Sequence, residues 1–351
     1  MESSSEKPLV LVTGASGYIG SWCIAKLLDT DKYRVRGTVR DHTDKSRMEI
    51  LQKGFGDYFD QIEFVSANLQ DEDSMKSAIE GAKYVLHVAS PFPLNSPKDG
   101  EKEVIQPAID GNRHMLNACV GSDVKKLIIT SSCVAVQDFW ENPDKVSNHK
   151  TFVKERKDHT PYYKSKIRAE RYTYDFLDNL KPSERTFEVM MINPSFVTGK
   201  ALLPRAEGTS LSLIKNVLEN KLPGVPQKYF ANVDVQDVAQ AHVNAIEKGK
   251  DGGRYPLANG NYKFLELMLV ISEEYSDQGY KILNKEISKI LAWIVSFFNK
   301  DVAFFLTCWN IKAEVDGSFA AEELGIEYKS MKESVLEACK SLIEFDLVAK
   351  P

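Results

Sequence analysis

Short apolar runs and longer amphipathic stretches alternate through the first half of the chain. Leu9–Thr13, Tyr33–Arg40, Ile62–Ala67, Tyr84–Ser90, Lys126–Ser132 and Phe187–Ser195 are rich in aliphatic and β-branched residues and short enough to be strands. Between most of them apolar residues recur three and four positions apart, as Ile19, Trp22, Cys23, Leu27 and Leu28 do, which predicts helices with one buried face. Strand–helix–strand alternation predicts an α/β fold: a doubly wound parallel sheet with helices on both faces.

After Pro194 the rhythm breaks. Pro204, Gly208, Pro223, Gly224 and Pro226 accumulate, one strand–helix unit returns over Tyr229–Gly249, and the remainder is mostly helical in pattern. Two units are expected. Residues 7–194 and 229–259 form the sheet domain; residues 195–228 and 260–351 form a smaller, mostly helical lobe over the carboxyl ends of the strands, where open α/β sheets bind ligands. The most apolar stretch, Ile290–Trp309, is interrupted at its centre by Asn299, Lys300 and Asp301. A spanning helix needs about 20 predominantly apolar residues, so two short helices are expected and no transmembrane segment. Its aromatic residues, Trp293, Phe297, Phe298, Phe304, Phe305 and Trp309, are read as core and lobe packing, with a roof over an apolar pocket as the alternative.

Composition narrows the classes. A formal net charge of −5 gives no electrostatic footprint for nucleic acid. The five cysteines are scattered without a CxxC pair, so a disulfide framework or a metal site is not expected, and reduced thiols in a cytoplasmic protein are. The polar N-terminus lacks the basic and apolar regions of a signal peptide.

The first strand runs into VTGASGYIG, where Gly14, Gly17 and Gly20 are spaced GxxGxxG and a helical pattern follows at once. Glycine allows the tight turn and a close approach of backbone to a pyrophosphate, and the helix N-terminus offers unpaired N–H groups. This is a dinucleotide site on a Rossmann-type sheet, with Gly14, Ser16, Gly17, Tyr18, Ile19 and Gly20 as its contacts. A site for NAD would carry an acid about twenty residues on, at the end of the second strand; Arg40 stands there instead. Its guanidinium suits a 2′-phosphate, with Lys45 and Arg47 nearby, so NADPH is the expected cofactor. Asp41, next in sequence, is the alternative ribose partner.

The fifth strand ends in Thr130-Ser131-Ser132, and a later helix opens with TPYYKSK. There Tyr162 and Lys166 are one helical turn apart, whereas Tyr163 faces Ile167. A free tyrosine has a pKa near 10. A neighbouring ammonium is expected to lower it and make Tyr162 a general acid, with Ser132 bonding a carbonyl oxygen and Lys166 also holding the nicotinamide ribose.

Taken together, TGxxGxxG at Thr13–Gly20, the set Ser132, Tyr162, Lys166, and VDVQDVAQAH at Val233–His242 resemble the extended short-chain dehydrogenases/reductases. VLHVASPF (Val85–Phe92) and VIQPAIDG (Val104–Gly111) are similar to the branch holding dihydroflavonol reductases, cinnamoyl-CoA reductases and fungal ketone/aldehyde reductases of the methylglyoxal type. The resemblance runs from about Pro8 to Leu347. It implies direct hydride transfer from NADPH to a small-molecule carbonyl substrate, in a monomer or dimer. It implies Ser132 rather than Ser131 as the catalytic serine. Val88, Ala89, Ser90 and Pro194 are implied beside the cofactor, Asn68 and Leu69 near the adenine, and Phe92 and Gln137 against the substrate. The chain departs from the branch at several points. Asn68 replaces an aspartate, Asp110 replaces an asparagine before Gly111, Gln137 replaces a substrate-binding asparagine, and the cinnamoyl-CoA reductase signature NWYCY is absent.

His87 and His242 are expected as packed histidines, the latter at a helix end, and Cys133 as a small buried thiol. Two other readings remain: a hydroxysteroid or nucleotide-sugar dehydrogenase–epimerase of the same fold, and a non-catalytic NADPH sensor or scaffold.

Overall fold

The computed structural model describes residues 7–91, 97–138, 145–206, 209–297, 300–312 and 314–351. Phe92 and Phe298, and the side chains of Phe304 and Phe305, lie outside the described part.

Seven strands form one parallel sheet: β1 (Leu9–Val12), β2 (Arg34–Val39), β3 (Ile62–Ser66), β4 (Ala82–His87), β5 (Lys126–Thr130), β6 (Glu188–Pro194) and, later in the chain, β9 (Arg254–Leu257). Their order is β3-β2-β1-β4-β5-β6-β9. The sheet is the doubly wound one expected. All four side chains of β1 are buried, as both faces of a parallel sheet are covered. Alternation divides the core. Val10, Val12, Leu86, Ile128 and Ile192 pack on one side with Ile24 and Leu27 of α1 (Tyr18–Asp29). Leu9, Leu11, Val85, Leu127 and Met191 pack on the other. On that side lie α4 (Gln106–Cys119) and α5 (Pro161–Asn179), through Met115, Leu116 and Leu177; α2 (Lys45–Phe55) and α3 (Glu72–Ala78) complete the first half.

The second half departs from the sequence reading at two points. β7 (Phe196–Thr198), β8 (Tyr229–Asp234) and β10 (Asn261–Lys263) make a separate sheet, with β8 parallel to β7 and antiparallel to β10. The returning strand–helix unit therefore divides. Its strand joins the small sheet, while its helix α7 (Val235–Lys248), capped by the Asp234 carboxylate on Gln236 N at 2.8 Å, packs on the large one. The large sheet ends instead on β9, whose Pro256 is tolerated on an edge strand. A third core joins Ile214 of α6 (Thr209–Leu218), Ile271 of α8 (Phe264–Tyr275) and Val335 of α12 (Met331–Glu344).

The apolar stretch forms two short helices, α9 (Lys289–Ser296) and α10 (Lys300–Thr307), before α11 (Ser318–Leu324). Among the described residues no helix is long and apolar enough to cross a membrane. The reading of this stretch as core packing fails for α9: Trp293 is 56% and Phe297 66% exposed. Only Ala292 of this helix is buried.

One polar cluster ties the sheet to α5. Glu170 and Arg254 are both buried and paired at 2.6 Å. Glu170 also accepts from Asn193 Nδ2 at 2.8 Å and from the Ser131 hydroxyl. Arg254 donates to the carbonyls of Thr151, His149 and Ala135 at 2.6, 3.0 and 3.1 Å, and Phe152 covers its guanidinium. Removing one partner leaves an uncompensated buried charge. Arg254→Ala is therefore expected to lower the free energy of unfolding by about 3–5 kcal/mol in urea titrations. A loss under about 1 kcal/mol, the size of an exposed pair, would mean the pair bears no weight.

Candidate active site

The loop after β1 is held from both sides. Gly14 N donates to Thr38 Oγ1 at 3.0 Å, and Thr13 Oγ1 accepts from Ala89 N at 3.0 Å. Gly14 has φ 76°, and a Cβ there would lie 3.1 Å from that of Ala89. A Cβ on Gly20 would lie 2.2 Å from the Gly14 carbonyl oxygen, so only glycine lets the helix start this close to the loop. Gly17 is the N-cap of α1, and no side chain caps the first turn. Its N–H groups and positive dipole end therefore meet the loop, a cradle for a pyrophosphate. Ser16 is half-buried, and its carbonyl accepts from Arg205 Nη1 at 3.4 Å. Tyr18 turns its side chain away from the loop: its hydroxyl donates to Gly199 O at 2.7 Å, and burial pushes its pKa well up. Ile19 packs on the sheet core.

At the end of β2, Arg40 is exposed and has no recorded partner among the described residues. Asp41 is engaged locally, accepting from Thr43 N at 2.8 Å and Thr43 Oγ1 at 2.7 Å; those bonds hold its carboxyl below the usual range. Arg47 is tied to Asp44 at 3.2 Å. Asn68 is exposed, with its side-chain oxygen on Gln70 N at 3.1 Å, and Leu69 O accepts from His114 Nδ1 at 2.7 Å.

Strand β4 stops at His87, short of the expected Ser90, because Val88 N turns back to Leu86 O at 3.1 Å. That turn aims Ala89 at Thr13 and leaves Val88, Ala89 and Ser90 half-buried at the strand's end. Ser90 then meets the helix: Lys166 Nζ donates to its hydroxyl at 3.1 Å.

Helix α5 opens with Thr160, which accepts from Tyr163 N at 3.4 Å, and with Pro161 at its start. Tyr162, Lys166 and Glu170 follow at four-residue spacing on one face. Ser132, following β5, caps the turn Cys133–Ala135 and hydrogen-bonds the Tyr162 phenol. The electrostatics differ from the sequence expectation. Burial raises the Tyr162 pKa, and the bond that opposes this comes from Ser132 rather than Lys166. Burial in turn pushes Lys166 down to about 8, with Glu170 pulling it back up. Desolvation disfavours each charged form, so Tyr162 stays a phenol with its proton in place.

Behind Lys166 is a cavity of about 10 Å³, the size of one water, lined by Ser90, Asn112, Ser131 and Glu170. Asp110 is turned elsewhere, to Arg113 and Gln106 at 2.9 Å. Sequence reasoning missed Asn112, two residues on, and Glu170, although Glu170 repeats the spacing of Tyr162 and Lys166. Pro194 is buried at the end of β6, and its neighbour Asn193 donates to Ser132 O at 3.3 Å. Gln137 is half-buried after the turn, its N–H on Cys133 O at 2.7 Å.

His87 is a core residue bonded to Thr13 Oγ1 at 3.2 Å, and burial lowers its pKa to about 3. His242 lies within α7, not at its end, and bonds Thr130 Oγ1 and Val238 O at 2.7 Å; burial takes it to about 4. Cys133 is a buried thiol on Asn193 O at 2.9 Å. Among the described residues no group of His, Cys, Asp and Glu could hold a metal ion.

A model of the 3-beta hydroxysteroid dehydrogenase/isomerase family matches residues 11–293. A cinnamoyl-CoA reductase of Medicago truncatula is 31% identical over 350 residues, 98% of this chain and 98% of that protein. A bifunctional dihydroflavonol 4-reductase/flavanone 4-reductase of Malus domestica is 30% identical over 287 residues, 78% of each. The solved structure of Gre2 from Candida albicans in complex with NADPH aligns with a TM-score of 0.78 at 26% identity, covering 96% of this chain and 99% of that one.

Arg40→Ala is expected to weaken NADPH binding about tenfold or more, the worth of a charge-assisted bond, and to leave NADH binding nearly unchanged. Equal loss for both cofactors in fluorescence titrations would remove Arg40 from 2′-phosphate recognition.

Proposed function

The chain belongs to the 3-beta hydroxysteroid dehydrogenase/isomerase family, within the extended short-chain dehydrogenases/reductases, and from that premise we propose that it reduces small or medium, partly apolar ketones or aldehydes. It is an oxidoreductase, and its cofactor is NADPH. The observation that carries the substrate reading is the meeting of Ser132, Tyr162 and Lys166 at the edge of the sheet that also bears the glycine cradle.

The residues present fit the cofactor: Gly20 leaves no room for a side chain, Gly14 has a positive φ, the first turn of α1 is uncapped, and Arg40, exposed just after β2, would meet a 2′-phosphate. When bound, NADPH supplies a hydride for a carbonyl carbon. Gly14, Gly17 and the first N–H groups of α1 would hold its pyrophosphate. Lys166 would hold its nicotinamide ribose, with Val88, Ala89, Ser90 and Pro194 alongside.

Ser132 and Tyr162 act on the substrate oxygen. The Ser132 hydroxyl orients the carbonyl by donating to its oxygen, and Tyr162 hands over its phenolic proton as negative charge develops there. The phenolate so formed is stabilised by the Lys166 ammonium. Burial keeps the resting Tyr162 protonated at neutral pH, and a charged Lys166 would lower the cost of giving that proton up. Gln137, half-buried after the turn at Cys133–Ala135, would face the substrate side. We assign residues 7–194 and 229–259 to the dinucleotide-binding domain and 195–228 and 260–351 to the substrate lobe, with β8 as the seam, since it pairs with the lobe's β7 and β10. Five buried thiols without a disulfide support a reducing, cytoplasmic setting.

Tyr162→Phe is expected to lower turnover on a carbonyl panel by about 10² or more, with NADPH affinity nearly unchanged. Retained turnover would assign the acid to another group, and no turnover by either protein would favour a sensor. The second test is pH. Lys166 carries its charge below about 8 and loses it as pH rises. The kcat/KM for NADPH, which reports the free enzyme, is expected to be flat below that point and to fall above it, and Lys166→Arg is expected to move the limb out of range. A profile without an inflection between about pH 7 and 9 would contradict the assignment.

A further inference from the structure

Helix α9 presents five apolar side chains outward: Ile290, Leu291, Trp293, Ile294 and Phe297 immediately after it, exposed by 47–74%. Trp293 and Phe297 meet edge to face at 4.9 Å, so the patch is built as one surface. It covers roughly 600 Å² if each side chain offers on the order of 200 Å² when free. That is at the upper end of the apolar patch a monomer leaves exposed.

Charge identifies the occupant. Lys289 opens the helix, and Lys281 and Lys285 lie in the segment before it. All three are exposed, and none joins a recorded ion pair among the described residues. One acid, Glu286, interrupts them, in a chain whose net charge is −5. Exposed aromatic and aliphatic side chains on one helix, with exposed lysines at its start and in the segment leading to it, are what a helix lying in a lipid interface presents. α9 has eight residues, far too few to span.

We propose that α9 docks this protein on an anionic lipid surface. The patch is the outer side of a helix pair whose other end borders Tyr163, the neighbour of Tyr162. α9 packs on α10, and just beyond α10 Cys308 acts electrostatically on Tyr163 and Lys228. Trp309 and Asn310 fasten that end to Gln227 at 3.2 and 2.7 Å. Docking would bring this end of the molecule to the bilayer, where apolar carbonyl compounds partition.

The test is co-sedimentation of the full chain with phosphatidylcholine vesicles with and without phosphatidylserine, with carbonyl-dependent NADPH oxidation measured in solution on the same samples. The chain is expected to pellet with the mixed vesicles and, at about fivefold per lysine, much less with phosphatidylcholine alone. Ile290→Glu/Trp293→Glu is expected to abolish pelleting, and Lys281→Glu/Lys285→Glu/Lys289→Glu to weaken it about fivefold per lysine, with turnover in solution unchanged. Equal pelleting of the parent chain and Ile290→Glu/Trp293→Glu would overturn the proposal. So would a concentration-dependent dimer, seen by sedimentation velocity and lost in that variant, without vesicle binding. Failure of the reductase reading would appear separately, as absent turnover.

Discussion

Glu170 is buried between α5 and the sheet, and its two oxygens accept from Arg254 at the start of β9, Asn193 in β6 and Ser131 just after β5. One carboxylate thus fixes one helix against three parts of the sheet. The same helix carries Lys166 one turn earlier and Tyr162 two turns earlier. Their height above the strand ends is set by a contact that itself does no chemistry. A charge so far from water is retained only where it is paired and hydrogen-bonded, and here Arg254 adds three carbonyl partners of its own, from the 149–151 segment and Ala135.

The parallel sheet supplies the second constraint. All its carboxyl ends lie on one edge, and the strand order reverses direction between β1 and β4. The glycine cradle leaves β1 at that point, Ala89 and Ser90 leave β4, and Ser132 lies two strands' width away after β5. Ser90 joins the two halves of the site. It extends the strand that faces the cradle and receives the Lys166 ammonium. In the proposed reading, one lysine therefore serves both the dinucleotide and proton transfer.

Much of this was legible in the sequence because it is local. Strands buried on both faces read as continuous apolar runs, and the six expected strands appear, trimmed by up to three residues where the backbone turns toward the site. The glycine spacing and the Tyr162–Lys166 spacing are helix and loop geometry written directly in the chain. What failed is non-local. Arg254 lies 84 positions from Glu170, and nothing in its own surroundings announces a buried partner. Strand β9 holds Pro256, which argues against a strand unless its edge position is known. The run Tyr229–Asp234 reads as a strand whichever sheet it joins. The pKa of Tyr162 depends on how much burial opposes the lysine, a quantity that spacing does not contain. Hydrophobicity predicted burial for Trp293 and Phe297, but that rule runs one way only, and apolar residues are common on surfaces.

The central claim is that this edge of the sheet transfers a hydride directly from the cofactor to a carbonyl carbon. The most direct measurement uses NADPH carrying deuterium at the transferred position of the nicotinamide, with a reducible ketone or aldehyde, and mass spectrometry of the alcohol formed. The account predicts one deuterium on the carbinol carbon, delivered to one face, and none acquired there from deuterated water. Carbinol hydrogen derived from solvent, or an alcohol labelled equally on both faces, would contradict it.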